Sequence, residues 1–159
     1  MPKTNSDSPA VAFAALRELA TLSELSDAAV RQLATVGEVQ TLSPGTVLFQ
    51  EGEQHAWIYL LCSGSIRLEM LTTNCGQQTI LSVGCGDFLA WSSLLGDGRM
   101  TATAVVAEET KLVAMAAGTL QQLLETDSSL GFQIMRALAE ALARRLLATR
   151  LQLLDLYQP

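Results

Sequence analysis

Apolar residues from Ala10 to Leu22 recur at Phe13, Leu16, Leu19 and Ala20, a three-to-four spacing that predicts an amphipathic helix. Ser26-Asp27 then supplies an N-cap for a second short helix, Ala28 to Thr35, with Val30 and Leu33 turned inward. At Val36 the period changes from helix-like to strand-like. Turn signals follow at Ser43-Pro44-Gly45, Glu51-Gly52-Glu53, Ser63-Gly64-Ser65, Asn74-Cys75-Gly76, Gly84-Cys85-Gly86 and Gly96-Asp97-Gly98. Between them lie predicted strands at Thr46–Phe49, Trp57–Cys62, Ser65–Leu71, Gln78–Val83, Met100–Ala107 and Thr110–Ala116. Ile66, Leu68 and Met70 alternate with Arg67 and Glu69, so that strand has one buried face and one wet face. Short strands spaced by turns roughly every 8–12 residues predict a sandwich or barrel.

The period reverts to helical near the end. Thr126 or Asp127 starts a long helix from about Ser129 to Leu156, with no glycine after Gly131 and no proline before Pro159. Phe132, Met135, Ala139, Leu142, Leu146, Thr149, Leu153 and Leu156 are spaced alternately three and four apart, the seam of a parallel coiled coil. A second stripe, Leu130, Ile134 and Leu138, then Leu147, Leu151 and Leu154, faces the barrel or a further partner surface. Two stripes exceed what one domain covers, so a homodimer through residues 132 to 156 is expected. The alternative is a helix folded back and buried in its own monomer. Residues 1–9, rich in Ser and Pro, are expected to be disordered.

Composition narrows the class. Apolar residues make up 49% of the 159 and charged ones 16%, which excludes a disordered chain. No apolar run is long enough to cross a bilayer and no signal peptide is recognisable, so a cytoplasmic protein without membrane contact is expected. Three cysteines, Cys62, Cys75 and Cys85, an odd number without C-x-x-C spacing, suit a reducing compartment. The net charge of −6 argues against non-specific nucleic-acid binding by the whole chain. From Ser129 onward four arginines (136, 144, 145 and 150) face two acids, read as a solvated basic stripe in which Arg145 and Arg150 flank the seam and Glu140 could pair across it.

Catalytic constellations are missing. With one histidine, His55, there is no Ser-His-Asp choice, and no H-E-x-x-H, G-x-S-x-G or Walker loop, so no enzyme is expected and no catalytic residue is assigned. His55 has no second histidine and no cysteine at ligand spacing, so it reads as structural and no metal is expected. Asp87 after Gly86 reads as a turn residue bonding its own backbone.

One stretch organises the rest: Gly84-Cys85-Gly86-Asp87-Phe88-Leu89-Ala90-Trp91-Ser92-Ser93-Leu94-Leu95, then Gly96-Asp97-Gly98-Arg99-Met100-Thr101-Ala102. It resembles the phosphate-binding cassette of the cyclic nucleotide-binding domain family, the sensor of catabolite activator-type (Crp-Fnr) regulators and of protein kinase A. The family's cassette reads Gly-Asp-x-x-Gly-Glu-Leu and, after several residues, Arg-Ser/Thr-Ala. Barrel glycines with Tyr59 before Gly64 extend the resemblance over residues 13 to 156. It implies a mainly β fold with flanking helices: an antiparallel jelly-roll barrel of the double-stranded β-helix type, N-terminal helices and a long C-terminal dimerisation helix. The domain would span residues 10–128 and the helix 129–159. In the family the cassette Glu holds the ribose and the Arg holds the cyclic phosphate.

This sequence keeps the frame and departs in the chemistry. Ala90-Trp91 stand where the family has Gly-Glu, and Met100, before Thr101-Ala102, stands at the arginine position, with Arg99 one residue early. Trp has a donor and no acceptor, and Met no charge for a phosphate. The indole of Trp91 is expected to fill the ribose space and be mostly buried, and the amides of Trp91, Ser92 and Ser93 to form any anion cradle that remains. On the long helix, Ala143 to Arg150 resembles the family's lid segment, with Thr149 on its threonine and Arg150 replacing its serine.

The resulting ligand set is Ala90, Trp91, Ser92, Ser93, Arg99, Met100, Thr101, Ala102, Thr149 and Arg150. Haem-sensing members of the superfamily use side chains near the Cys75 loop, but a single thiolate there gives little support for haem. No cofactor is expected; a cyclic nucleotide is possible but not favoured. A helix-turn-helix to read DNA is not found in the sequence, so direct DNA binding is not expected. Three readings stay open: a dimeric sensor module, its pocket re-lined for another small-molecule ligand or for none, acting on an effector protein; a cyclic nucleotide binder using Arg99 or Arg150; and a dimerisation scaffold with a filled barrel.

Overall fold

The computed structural model describes residues 3, 4 and 8–158. Of the stretch expected to be disordered, positions 1–2 and 5–7 lie outside the described residues, whereas Lys3–Thr4 forms a short strand, β1, and Pro9 opens the first helix. The helix expected over Ala10 to Leu22 divides in two. Helix α1 is Pro9–Arg17 and a single 3₁₀ turn follows at Ala20–Leu22, because Leu19 adopts an extended backbone between them. The Arg17 guanidinium secures this corner by donating to the carbonyls of Leu22 (2.7 Å) and Leu25 (2.9 Å). Leu19 and Leu22 are thereby both buried. Helix α2, Asp27–Ala34, starts as its sequence predicts: Ser26 Oγ accepts from the Ala29 amide at 3.1 Å.

The strands are β2 Gly37–Leu42, β3 Val47–Phe49, β4 Trp57–Thr72, β5 Gly76–Val83, β6 Phe88–Leu89 and β7 Thr103–Ala116. All pair antiparallel in the order β1-β2-β7-β4-β5, with β3 added to β7 and β6 to β4. With its flanking helices this is the predicted jelly-roll architecture. The spine is the β4–β7 pair, joined from Trp57↔Ala116 to Glu69↔Thr103.

Ser63-Gly64-Ser65, expected to be a turn, is instead an irregularity inside β4. The register against β7 slips between Leu61 and Ile66, and Gly64 sits at φ +92°. A Cβ at Gly64 would fall 2.4 Å from the Glu109 carbonyl, so only glycine lets the strands pass this closely. Thr110, fully buried, closes the distortion by accepting from the Ser65 amide (3.2 Å) and donating to the Glu108 carbonyl (2.8 Å).

Two cores lie on opposite faces of this spine. Ile58 and Leu60 of β4 join Val113 and Met115 of β7 against the helices, while Tyr59, Leu61, Leu112 and Ala114 point into the barrel. That is why the run from Ile58 to Leu61 is continuously apolar: alternate side chains face opposite ways and both faces are buried.

Helix α3, Ser92–Leu95, is one turn, and α4, Ala117–Thr126, has no counterpart among the predicted elements. Its opening Ala-Gly-Thr hides the period, and Leu120 and Leu124 carry its buried face. Helix α5, Ser128–Leu156, is capped by Asp127, whose carboxylate accepts from the Leu130 amide at 3.1 Å. It crosses α4 at Gly131, where an added Cβ would meet the Leu124 carbonyl at 2.6 Å. Leu130, Ile134, Ala137, Leu138 and Ala141 bury against the domain, and from Leu146 to Tyr157 every residue is exposed. The second sequence stripe therefore divides: Leu130, Ile134 and Leu138 are core, whereas Leu147, Leu151 and Leu154 are not. No helix among the described residues is long and apolar enough to cross a membrane.

Candidate functional site

The cassette is built on β6, which pairs with Tyr59 and Leu60 of β4. Ahead of it the chain reverses at Gly86 (φ +85°), and Asp87 closes the turn: its Oδ2 accepts from the Gly84 amide at 2.9 Å. After Leu89, Ala90 enters the left-handed region at φ +63°, the one non-glycine to do so among the described residues. Such a conformation costs an alanine about 1–2 kcal/mol. It swings the chain out of β6 and into α3.

Of the three amides expected to form an anion cradle, that of Ser93 is engaged, its N–H bonding Ala90 O at 3.1 Å. The Ser93 hydroxyl is also committed, to the His55 carbonyl at 2.9 Å, and that of Ser92 donates to Arg99 O at 3.2 Å. Trp91, expected to be mostly buried, stands at the cavity's edge and keeps 36% of its surface exposed. It precedes a single helical turn directly after the left-handed corner, and the barrel behind it is already occupied. Phe49, Leu89, Ala90, Met100 and Ala102 are all buried there. What remains is a cavity of about 40 Å³. A water needs roughly 10–15 Å³ measured in that way, whereas pockets for drug-sized ligands span about 300–1,000 Å³.

The other predicted residues separate into two groups. Trp91, Ser92, Thr101 and the three buried residues Ala90, Met100 and Ala102 line the cavity. Ser93, Arg99, Thr149 and Arg150 do not. Arg99 is exposed, its guanidinium donating to the Gly52 carbonyl at 3.0 Å and its amide to Asp97 Oδ1. Thr149 is exposed and turns its hydroxyl back to the Arg145 carbonyl at 2.9 Å, and Arg150 is likewise exposed. Glu140 pairs within its own helix, with Arg136 at 3.1 Å.

Arg145 does line the cavity, although sequence reasoning placed it beside the coiled-coil seam. Its Nη2 donates to the Phe88 carbonyl at 2.7 Å, fastening α5 to β6. Burial disfavours its charged form, an effect that nearby Asp87 partly offsets. A signal existed in the sequence: Ile134, Leu138, Ala141 and Arg145 are spaced four, three and four, so Arg145 continues the buried stripe, not the solvated one.

His55 packs between Phe49 and Tyr59, with Nε2 2.8 Å from the Tyr59 hydroxyl and Nδ1 3.9 Å from Glu53. Desolvation lowers its pKa below the usual histidine value against the raising effect of Glu53. Burial and then Glu53 push the Tyr59 phenol up to about 12. Burial likewise pushes the Cys62 thiol up to about 11, making it a poor nucleophile. No cluster among the described residues holds three groups suited to a metal.

Comparison with known proteins agrees with this geometry. Residues 39–127 match the family described as cyclic nucleotide-binding domain. A cyclic AMP receptor protein of Thermus thermophilus is 32% identical over 71 residues, which cover 45% of this chain and 33% of that protein. The chain thus spans about a third of that relative's length. A cyclic nucleotide-binding domain from Methylobacillus flagellatus superposes with a TM-score of 0.81 at 21% identity, covering 100% of this chain and 90% of its own. The N-terminal domain of a transcriptional regulator from Streptomyces coelicolor gives 0.66 at 28% identity, over 87% of this chain and 94% of that one.

Proposed function

Because the chain belongs to the cyclic nucleotide-binding domain family, we propose that it is a regulatory sensor module of the Crp-Fnr type, signalling through α5 to a second copy of itself, and that its pocket does not take cyclic AMP or cyclic GMP in the family's usual manner. It acts by binding, not by turnover, in keeping with the regulatory role of the family, and it works in the cytoplasm. The observation that carries the ligand clause is the lining of the cavity. Trp91 and Met100 are among the residues lining about 40 Å³ of space, and by the cassette resemblance they replace the carboxylate and the guanidinium that hold ribose and phosphate in the family. Each missing charge-assisted contact is worth about 1.5–3 kcal/mol, so their joint loss weakens binding by roughly a hundredfold or more.

Support for the signalling clause comes from α5, whose outer half exposes Leu146, Leu147, Leu151, Leu153, Leu154 and Leu156 at 50–78%. Proteins seldom leave so long an apolar face in water. Domain 10–128 would then be the sensing body and 129–159 the dimerisation helix.

Calorimetric titration of the purified chain with cyclic AMP and with cyclic GMP tests the ligand clause. The expected result is no binding at micromolar concentration. A micromolar dissociation constant for either would overturn it.

A further inference from the structure

We propose that Cys62 of β4 and Cys85 of the turn before β6 are a thiol pair that a small disulfide oxidises to a cystine within one chain, tying the root of the cassette to the sheet. This goes beyond the sensor reading and does not depend on which ligand the barrel takes.

Backbone pairing brings the two residues together. Gly86 N–H bonds the Leu61 carbonyl at 2.8 Å and Leu61 N–H bonds the Asp87 carbonyl at 3.0 Å, so Gly86, in the left-handed region, is the extra residue of a bulge. One step past it, Cys62 and Cys85 stand opposite each other beside the Gly86–Leu61 bond, in the position of a non-hydrogen-bonded pair. Residues so opposed have Cα atoms about 4.5 Å apart, within the roughly 4.4–6.8 Å that a disulfide spans. Both are free thiols, and both line one cavity of about 240 Å³ whose charged groups are Glu18 and Lys111. Burial is the main cause of the raised Cys62 pKa; Lys111 opposes it and Cys85 adds to it, as two neighbouring sulfurs would.

Exposure sets the order of events. Cys85 is exposed and Cys62 half-buried, so the Cys85 thiolate meets the oxidant first. It attacks one sulfur of a disulfide R–S–S–R, whose S–S bond breaks to leave Cys85–S–S–R and one R–S⁻. The Cys62 sulfur then attacks that of Cys85 and expels the second R–S⁻, the protons of the two cysteines passing to the departing thiolates through water. The chain loses two hydrogens with their electrons, and R–S–S–R is reduced to two thiols. Burial makes Cys62 a poor nucleophile in a bimolecular encounter, but its target here is fixed beside it, and that proximity offsets the low thiolate fraction. Its thiol gives up only a weak contact, with the Leu60 carbonyl at 3.9 Å. The same turn is held by Thr21, whose hydroxyl donates to the Gly86 carbonyl at 2.6 Å, and it leads into Phe88, whose carbonyl takes Arg145 of α5. A covalent link at Cys85 therefore stiffens the junction on which β6 and α5 rest. In a reducing compartment such a bond is a reversible sensor of the thiol–disulfide balance.

The test uses the whole chain, incubated with oxidised and reduced glutathione at a fixed ratio, quenched with acid, alkylated and digested for mass spectrometry. The expected product is a Cys62–Cys85 cross-link within one chain, with Cys75 alkylated, and the same cross-link in Cys75→Ser. Cys62→Ala should stop the reaction at glutathione attached to Cys85, and Cys85→Ala should leave Cys62 reduced. The wild-type chain unfolded in urea at the same glutathione ratio should form the cross-link about tenfold less or lower still, because the fold is what brings the thiols together. That comparison needs no variant, and far-ultraviolet circular dichroism establishes that each variant used is folded. Equal yields from folded and unfolded chain, no cross-link in the wild type, oxidation that halts at the glutathione adduct of Cys85, or cross-links running between chains would each overturn the inference.

Discussion

Gly64 has no room for a methyl group. An added Cβ would lie 2.4 Å from one carbonyl and 2.6 Å from the Thr110 Cα, at a φ of +92°. Left-handed strain of about 1–2 kcal/mol and overpacking of about 1–3 kcal/mol then act together. Gly64→Ala should lower stability by about 3 kcal/mol, read from urea denaturation at constant slope; a loss under about 1 kcal/mol would show that the β4–β7 irregularity can relax. His55 gives a second expectation. The unfolded imidazole takes its proton near pH 6.5, the folded one only at lower pH. Between those values the unfolded state binds more protons, so stability rises with pH and falls on acidification below about 6.5. As the chain has a single histidine, urea midpoints from pH 5 to 8 should slope in the wild type and flatten there in His55→Gln. An equal slope in both would assign it to carboxylates.

At the level of elements, the barrel and the long helix were legible because their periods are long and their punctuation strong. The buried face of Ile66, Leu68 and Met70 and the Ser26 cap follow directly from sequence. Three features were not legible, each for a physical reason. Gly64 looked like a turn because glycine marks both turns and bulges. Helix α4 was hidden by its Ala-Gly-Thr start, a weak helical beginning that tertiary packing of Leu120 and Leu124 overrides. In the cassette, the frame was readable and the outcome only in part: the spacing of Ile134, Leu138 and Ala141 puts Arg145 on the buried stripe, but that this stripe brings it to β6 depends on how α5 packs across the sheet. The two helical glycines near α5 make a paired prediction. Alanine gains about 1 kcal/mol of helix propensity over glycine. Nothing lies within 4 Å of a Cβ at Gly118, whereas at Gly131 the α4 backbone stands 2.6 Å away. Thermal melting should rise for Gly118→Ala and fall for Gly131→Ala; equal shifts would show that the α4–α5 crossing is loosely packed.

On the scale of the whole molecule, the exposed half of α5 is the feature that one copy of the chain leaves unresolved. Burying a leucine is worth about 1.5–3 kcal/mol, a large share of a domain's marginal stability, and Leu146 and Leu153 stand at 53% and 50% exposure on the seam. Multi-angle light scattering at tens of micromolar should therefore give twice the chain mass of 17.0 kDa. Leu146→Glu should give the monomer, because a carboxylate at the seam centre would be buried unpaired. A monomeric wild type, or a dimeric Leu146→Glu, would sink the arrangement. The glycine crossing has one more consequence, a mechanical one. Were α5 to turn about its close contact at Gly131, the helix beyond, at 1.5 Å per residue, would be an arm of roughly 37 Å to Leu156. Rotating such an arm by about 5° displaces its tip by about 3 Å. Arg145 stands about 21 Å along that arm, so a shift of about 1.8 Å at its contact with Phe88 would thus arrive at the far end as about 3 Å, close to the spacing between packed side chains.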